Sequence, residues 1–291
     1  VKNILLLGKG FIGIPLHKKL QDSGYNVQIV CRKELNYFSP IQLKKYIRNH
    51  FVDYHGNILD DIIIINCSGF TGIPNVDACE NDKENCFLYN TKLPLILNNF
   101  CNTNNIWLIN ISSGCIYSGY KKEYTEEDLP NFGFYNSESS FYSKTKHLAE
   151  LLVDFNKLTI FRVRMPFCSF NTEKNILNKI LKYSKLVSFD NSYTCLEDLC
   201  IFVDLFIKNN FYKTNTGIYN VVNPGVSNAK FIVDQLSLNN HINPKWEFVK
   251  IDDLNLKANR SNCILSTDKI SSLGLKLPNV KESILKCIQS L

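Results

Sequence analysis

The stretch Tyr142-Ser143-Lys144-Thr145-Lys146 sets a phenol and an ammonium four residues apart. On a helix, positions i and i+4 share a face. A neighbouring ammonium favours the phenolate, which makes Tyr142 a better proton donor and acceptor near neutrality. With 14 tyrosines in a lysine-rich chain, chance alone supplies on the order of one or two such pairs, so context must decide. Tyr117 and Lys121 form a second pair, but Gly119 interrupts it and a strand precedes it. Upstream of Tyr142, Ile111-Ser112-Ser113-Gly114-Cys115-Ile116-Tyr117 closes a predicted strand. Sites in parallel sheets lie at the carboxyl ends of strands. A hydroxyl there can hydrogen-bond a substrate carbonyl while Tyr142 supplies a proton. Either serine taken alone reads as a loop cap.

A third element of chemistry stands at the N-terminal end. Gly8-Lys9-Gly10-Phe11-Ile12-Gly13 is a GxGxxG that follows a strand and opens a helix. Gly8 permits the tight turn, Gly10 lets the backbone approach a pyrophosphate, and Gly13 lets helix and strand pack closely. The helix start, with Phe11 and Ile12, offers unpaired N–H groups to an anion. After the second strand comes Cys31-Arg32-Lys33 rather than an acid. Two cations suit a 2′-phosphate, which favours NADP(H) over NAD(H). The alternative is a solvated basic pair on a loop.

These residues need a scaffold. Ile4–Leu7, Val27–Cys31, Asp61–Cys67, Ile106–Ile111 and Leu158–Val163 read as strands. Phe11–Ser23, stopped by Gly24, Ile41–Ile47, Asn85–Cys101 and Ser139–Phe155 read as the helices between them. The uninterrupted apolar run at Asp61–Cys67 suits a strand buried on both faces. The rhythm predicts an α/β, doubly wound parallel sheet, an NAD(P)-binding Rossmann fold. Beyond it, Asn175–Tyr183, Leu196–Lys208 and Lys281–Ser290 read as helices and Ile218–Val222 as a strand. We therefore expect a cofactor domain over 1–165 and a smaller, mainly substrate-binding lobe over 166–291, with some segments returning to the first.

Composition excludes several classes. A chain of 291 residues, 45% apolar and 21% charged, is neither disordered nor fibrous. Even the apolar runs Ile62–Ile65 and Leu199–Val203 are far short of the roughly 20 residues that span a bilayer. A net charge of +6 gives no nucleic-acid footprint. The start of the chain reads as a strand rather than a secretory leader, and Cys287 lies one position too early for a prenylation box. Eleven cysteines without a CxxC, and five histidines without HxxxH, predict reduced thiols in a cytoplasmic protein and no metal site.

Taken together, the chain resembles an extended short-chain dehydrogenase/reductase of the dTDP-4-dehydrorhamnose reductase branch. Within it, the chain is most similar to bifunctional UDP-4-keto-6-deoxy-glucose 3,5-epimerase/4-reductases that make UDP-L-rhamnose. The resemblance rests on Thr71-Gly72-Ile73-Pro74-Asn75-Val76-Asp77, Gly114-Cys115-Ile116, the stretch from Phe141 to Lys146, and Arg162-Val163-Arg164-Met165-Pro166. It extends through Asn223-Pro224-Gly225-Val226 and Arg260-Ser261-Asn262. The glycine turn is one residue shorter than the family's usual GxxGxxG.

The resemblance implies roles. Ser113, Tyr142 and Lys146 fall on the family's catalytic triad, with Tyr142 and Lys146 also against the cofactor. Asn90 falls on a recurrent asparagine and is expected at the substrate, and Thr71, Asn75, Arg260 and Asn262 fall where relatives touch sugar or nucleotide. Cys115 stands two residues after the catalytic hydroxyl, where epimerase-reductases carry cysteine and single-function reductases typically carry tyrosine. Its partner acid would be Lys179. The implied substrate is a UDP- or dTDP-4-keto-6-deoxy sugar supplied by a separate 4,6-dehydratase, and dimerisation is common in the family. Two rival readings are a plain 4-reductase and a non-catalytic, NADP-binding regulatory subunit.

Overall fold

The computed structural model describes residues 2–73, 75–241 and 245–291; Pro74 of the quoted 71–77 stretch lies outside them. Its centre is a six-stranded parallel sheet with order β2-β1-β3-β4-β6-β8. In chain order the first half runs β1 (Asn3–Leu7), α1 (Gly13–Asp22), β2 (Asn26–Val30), α2 (Pro40–His50), β3 (Ile62–Asn66), α3 (Ala78–Asn81), α4 (Lys83–Phe87) and α5 (Leu93–Asn104). Then come β4 (Trp107–Ser113), β5 (Gly119–Tyr124), α6 (Phe141–Leu152) and β6 (Leu158–Val163). The rest is α7 (Ile176–Lys182), β7 (Lys185–Leu186), α8 (Leu196–Lys208), α9 (Phe211–Thr214), β8 (Gly217–Asn220), α10 (Ala229–Leu238), β9 (Glu247–Phe248), β10 (Cys263–Leu265), α11 (Asp268–Ser272) and α12 (Val280–Ile288).

The layers follow from strand alternation. Successive strand side chains point to opposite faces. On β1 and β3, Ile4, Leu6, Ile63 and Ile65 join a core with Leu16 and Leu20 of α1 and Leu199, Val203 and Phe206 of α8. Leu5, Leu7, Ile62 and Ile64 face the other way, onto Leu43 and Ile47 of α2 and Leu93 and Leu97 of α5. Both faces are covered, so the strands read as continuous apolar runs. The strand order reverses between β1 and β3, and the glycine turn lies at the carboxyl end of β1, where such sheets open a ligand crevice. Among the described residues no helix is long and apolar enough to cross a membrane.

The remaining segments build a second core. Leu177 and Ile180 of α7, Ile232 and Leu236 of α10, and Val280 and Ile284 of α12 pack together. Helix α8 and strand β8 belong to the central sheet and its cover, although they follow residue 166.

Several elements differ from expectation. The helix anticipated over 85–101 is broken: a π turn at Leu88–Lys92 separates α4 from α5. A π turn inserts a residue into the helical ladder and is common at functional sites; here it carries Asn90. Strand β5 was not expected, because five of its six residues are exposed or half-buried and show no apolar alternation. It exists through parallel pairing with β10, more than a hundred residues away. Helix α10 was legible in principle. Asn228 caps it by accepting from Phe231 N, and Ile232, Val233 and Leu236 form its buried stripe.

Candidate active site

The glycine turn has the shape that its spacing required. Gly8 sits at φ +112°, and a Cβ there would lie 2.9 Å from Ser68 Oγ. A Cβ on Gly13 would lie 1.9 Å from Gly8 O, so only hydrogen fits between helix and strand. A Cβ on Gly10 would meet nothing within 4 Å. The outer two glycines are thus required by packing, while the middle one borders open space where a pyrophosphate can approach the backbone. Phe11 packs edge-on to Phe170, and Ile12 is the residue before α1. Arg32 and Lys33 are exposed, and the Arg32 guanidinium lies over the Tyr89 ring at 5.1 Å. An acid missed in the sequence stands beside them. Glu34 accepts from Cys31 N at 2.7 Å and from Lys9 Nζ at 2.6 Å. Those contacts, Lys9 first, lower its carboxyl to about 2.

Ser113 ends β4 and Tyr142 occupies the first turn of α6. The helix starts there because Ser140 Oγ accepts from Ser143 N at 3.1 Å. Lys146 follows one turn later, its Nζ 5.9 Å from the centre of the Tyr142 ring. All three side chains are buried. Burial raises the Tyr142 phenol above its ordinary range, while a hydrogen bond from Ser113 favours the ionised form. Burial lowers the Lys146 ammonium. Burial and the Ser113 hydroxyl thus act on the Tyr142 phenol in opposite senses.

Asn90 does not sit where a substrate contact was expected. It is fully inaccessible, and both ends of its amide hold the loop after β3. Its Oδ1 accepts from Phe70 N at 2.9 Å and its Nδ2 donates to Phe70 O at 2.8 Å. Its role in the structure is to position that loop, whose Gly69 lies against Lys146: a Cβ there would be 3.5 Å from Nζ. The unpredicted Cys86 is buried beside the same amide, 3.3 Å from Asn90 Nδ2 and 3.4 Å from Thr145 Oγ1.

Cys115 is half-buried, and its N–H donates to Ser113 Oγ at 3.2 Å. Its sulfur lies 3.4 Å from Arg164 Nη1. Arg164 was quoted in a matching string without a role, yet it is the cation of this site. It donates to Ser261 Oγ at 2.9 Å, to Ser261 O at 2.7 Å and to Asn191 Oδ1. The next residue, Met165, sits at φ +39°, a conformation that costs about 1–3 kcal/mol and clusters at functional positions. Lys179 lies half-buried on α7. Burial first, then Lys174, lowers its ammonium. No hydrogen bond joins it to Ser113, Cys115 or Tyr142 among the described residues.

The remaining expected contacts lie on two loops, the one after β3 and the one before β10. Thr71 is exposed. Asn75 Oδ1 accepts from Asp77 N at 2.8 Å. Arg260 pairs with both Asp77 oxygens, at 2.8 and 3.0 Å. Burial opposes charge on Asp77, but Arg260 and the Ala258 N–H hold its carboxyl below the usual range. Asn262 Oδ1 accepts from Asn191 Nδ2 at 3.0 Å, linking the loop before β10 to Arg164. The ion pair ties the loop after β3 to the loop before β10. The second tyrosine–lysine pair is structural: Tyr117 OH donates to Asp128 O at 2.8 Å and accepts from Arg162 Nη1 at 2.9 Å.

The family profile described as RmlD substrate binding domain matches residues 2–291. The chain belongs to the RmlD substrate-binding family. Among its relatives is the bifunctional dTDP-4-dehydrorhamnose 3,5-epimerase/dTDP-4-dehydrorhamnose reductase of Arabidopsis thaliana. That protein is 34% identical over 238 residues, which is 77% of this chain and 75% of the relative. A trifunctional Arabidopsis UDP-glucose 4,6-dehydratase/UDP-4-keto-6-deoxy-D-glucose 3,5-epimerase/UDP-4-keto-L-rhamnose-reductase, RHM2, is also 34% identical. This chain spans only about a third of the trifunctional protein's length, 34%. The crystal structure of the L780 UDP-rhamnose synthase of Acanthamoeba polyphaga mimivirus superposes with a TM-score of 0.84 at 25% identity, covering all of both chains. A dTDP-4-dehydrorhamnose reductase of Bacillus anthracis in complex with NADP shares the fold, with a TM-score of 0.79 at 18% identity over 100% and 99% of the two chains.

Proposed function

We propose that this RmlD-family chain reduces the 4-keto group of a nucleotide-linked 4-keto-6-deoxy sugar with NADPH, and that the same site inverts C3 and C5 before reduction. The product from UDP-4-keto-6-deoxy-glucose is UDP-L-rhamnose. The reduction is supported by the buried Ser113, Tyr142 and Lys146 set beside a turn whose open Gly10 suits a pyrophosphate. The NADP complex of the Bacillus anthracis relative supports the cofactor, as do the exposed Arg32 and Lys33.

The observation that carries the epimerase half is the 3.4 Å contact between Cys115 Sγ and Arg164 Nη1. The C4 ketone acidifies the hydrogens on C3 and C5. Cys115 removes such a proton, and the negative charge that passes through the sulfur and the enolate meets a fixed guanidinium. Lys179 returns a proton to the opposite face; its lowered pKa suits an acid working closer to neutrality than a free lysine. Ser113 holds the 4-keto oxygen throughout. Bound NADPH supplies the hydride for C4. Tyr142 donates its proton to the oxygen, and Lys146 stabilises the phenolate that remains. The keto sugar itself is the product of a 4,6-dehydration of a nucleotide-linked glucose.

The test is incubation with UDP-4-keto-6-deoxy-glucose in deuterated water, with and without NADPH, followed by NMR. Deuterium enters C3 and C5 without NADPH, and UDP-L-rhamnose forms with it; Cys115→Ala abolishes the exchange. Turnover of a pre-epimerised keto sugar without any exchange would leave a plain 4-reductase. Loss of both would leave a protein that only binds NADP.

A further inference from the structure

Cys195, Glu197 and Cys287, none of them used in the chemistry proposed above, bring two sulfurs and a carboxylate oxygen within 4.8 Å of one another. Cys195 is the residue before α8, Glu197 lies in that helix's first turn, and Cys287 is near the end of α12. Both cysteines are 3% exposed. The edges of the triangle are informative. The two sulfurs are 3.8 Å apart, and Glu197 Oε2 lies 3.2 Å from Cys195 Sγ and 4.0 Å from Cys287 Sγ. A tetrahedral zinc ion, with Zn–S of about 2.3 Å and Zn–O of about 2.0 Å, sets an S···S edge of about 3.8 Å and S···O edges of about 3.5 Å. The first edge agrees, and the other two bracket the expected length.

The carboxylate is also oriented as a ligand would be. Its other oxygen, Oε1, accepts from Ser169 N at 2.8 Å and Ser169 Oγ at 2.6 Å. Such outer contacts fix the direction of metal-bound carboxylates. They turn Oε2 onto the two thiols. The positive end of the α8 dipole faces the same point and offsets part of the three negative charges that the ligands bring. A disulfide fits less well. It needs the sulfurs at about 2.05 Å, and it would leave Oε2 facing a neutral bridge with no donor.

We propose that Cys195, Glu197 and Cys287 form a site for a thiophilic divalent cation, zinc by preference, with water in the fourth position. Binding releases two thiol protons, so affinity rises with pH. The ion clamps the last turn of α12 to the head of α8 and, through Glu197, to Ser169. Ser169 precedes the segment that leads to α7. The absence of CxxC and HxxxH spacings pointed away from any metal. The two sulfur ligands are separated by 92 residues, so a short-range spacing could not reveal them.

The experiment uses the full chain, reduced and stripped with a chelator, then titrated with Zn2+ alone. We expect one zinc per chain, a melting temperature that rises with zinc, and release of two protons per ion. X-ray absorption on the one-equivalent sample should show two sulfur and two oxygen or nitrogen scatterers. Cys195→Ser and Cys287→Ser should each abolish stoichiometric binding, whereas Cys31→Ser should not. If a cysteine variant folds poorly, the absorption spectrum of the unmodified protein decides alone. No tight zinc, four oxygen or nitrogen scatterers, or undiminished binding in both cysteine variants overturns the proposal. So does a shell of sulfur only.

Discussion

Arg162 and Arg164 stand two residues apart at the end of β6, both almost inaccessible, and they meet opposite surroundings. Arg162 is neutralised. Its Nε and Nη2 donate to Glu150, the shortest contact being 2.7 Å, and Nη1 reaches Tyr117 OH. Ser112 donates to the same carboxylate at 2.9 Å. Every charge in that region is answered by another, as buried ion pairs require. Arg164 has neutral oxygens and the Cys115 sulfur as partners, no ion pair with a carboxylate among the described residues, and an Nε without a hydrogen-bond partner. A buried cation lacking a counter-ion is costly, and the strained Met165 beside it adds to that cost. The contrast separates a charge that an ion pair holds within the fold from one left, among the described residues, without a counter-ion beside Cys115.

Breaking the first region gives the largest effect. Glu150→Ala leaves Arg162 buried without a counter-charge and should lower stability by about 3–5 kcal/mol, read from urea unfolding. A loss below 1 kcal/mol would mean that the network is no stronger than a surface pair. Breaking the second should act on chemistry instead. Arg164→Met should slow deuterium entry at C3 and C5 by about 100-fold, with a smaller shift of the urea midpoint than Glu150→Ala. Arg164→Lys should restore part of the exchange. Equal loss in Met and Lys variants, matched by equal loss of stability, would merge the two regions into one structural role.

A pH profile sharpens the comparison further. Burial lowers the Lys179 ammonium, so, in the mechanism proposed, the proton that it would return disappears at a lower pH than for a free lysine. The alkaline limb of exchange should therefore fall below the ordinary lysine range, and Lys179→Arg should move it upward. The smallest effect belongs to His147, next to the Arg162 network. Burial lowers its pKa below 6.5, and its Nδ1 accepts from Phe134 N at 3.0 Å. The unfolded chain then binds a proton that the folded one refuses. Stability should decline as pH falls from about 6.5 towards the folded pKa, and His147→Gln should flatten that slope in thermal melts.

Much of the fold was readable along the chain. The apolar runs of β1 and β3 and the helical stripes of α1 and α8 follow from periods of two and 3.6 residues. The glycine turn and the Tyr142–Lys146 pair are equally local. Asn90 was found through resemblance, whereas its grip on the Phe70 backbone was not legible, because that pairing forms between the π turn and the loop after β3. Strand β5 was missed because its partner, rather than its own pattern, makes it a strand.

The sequence by itself determined the relations that span one turn or one strand: Gly8 to Gly13, Ser113 to Cys115, Tyr142 to Lys146, and the alternation that buries the sheet on both faces. Only the tertiary structure decided that Arg164 meets Cys115 across 49 residues, that Glu150 rather than a substrate neutralises Arg162, and that Cys195 meets Cys287 across 92. The physical reason is common to all three. Backbone geometry sets short spacings, whereas the side chains that share a buried volume are selected by strand order and by which helix covers which face.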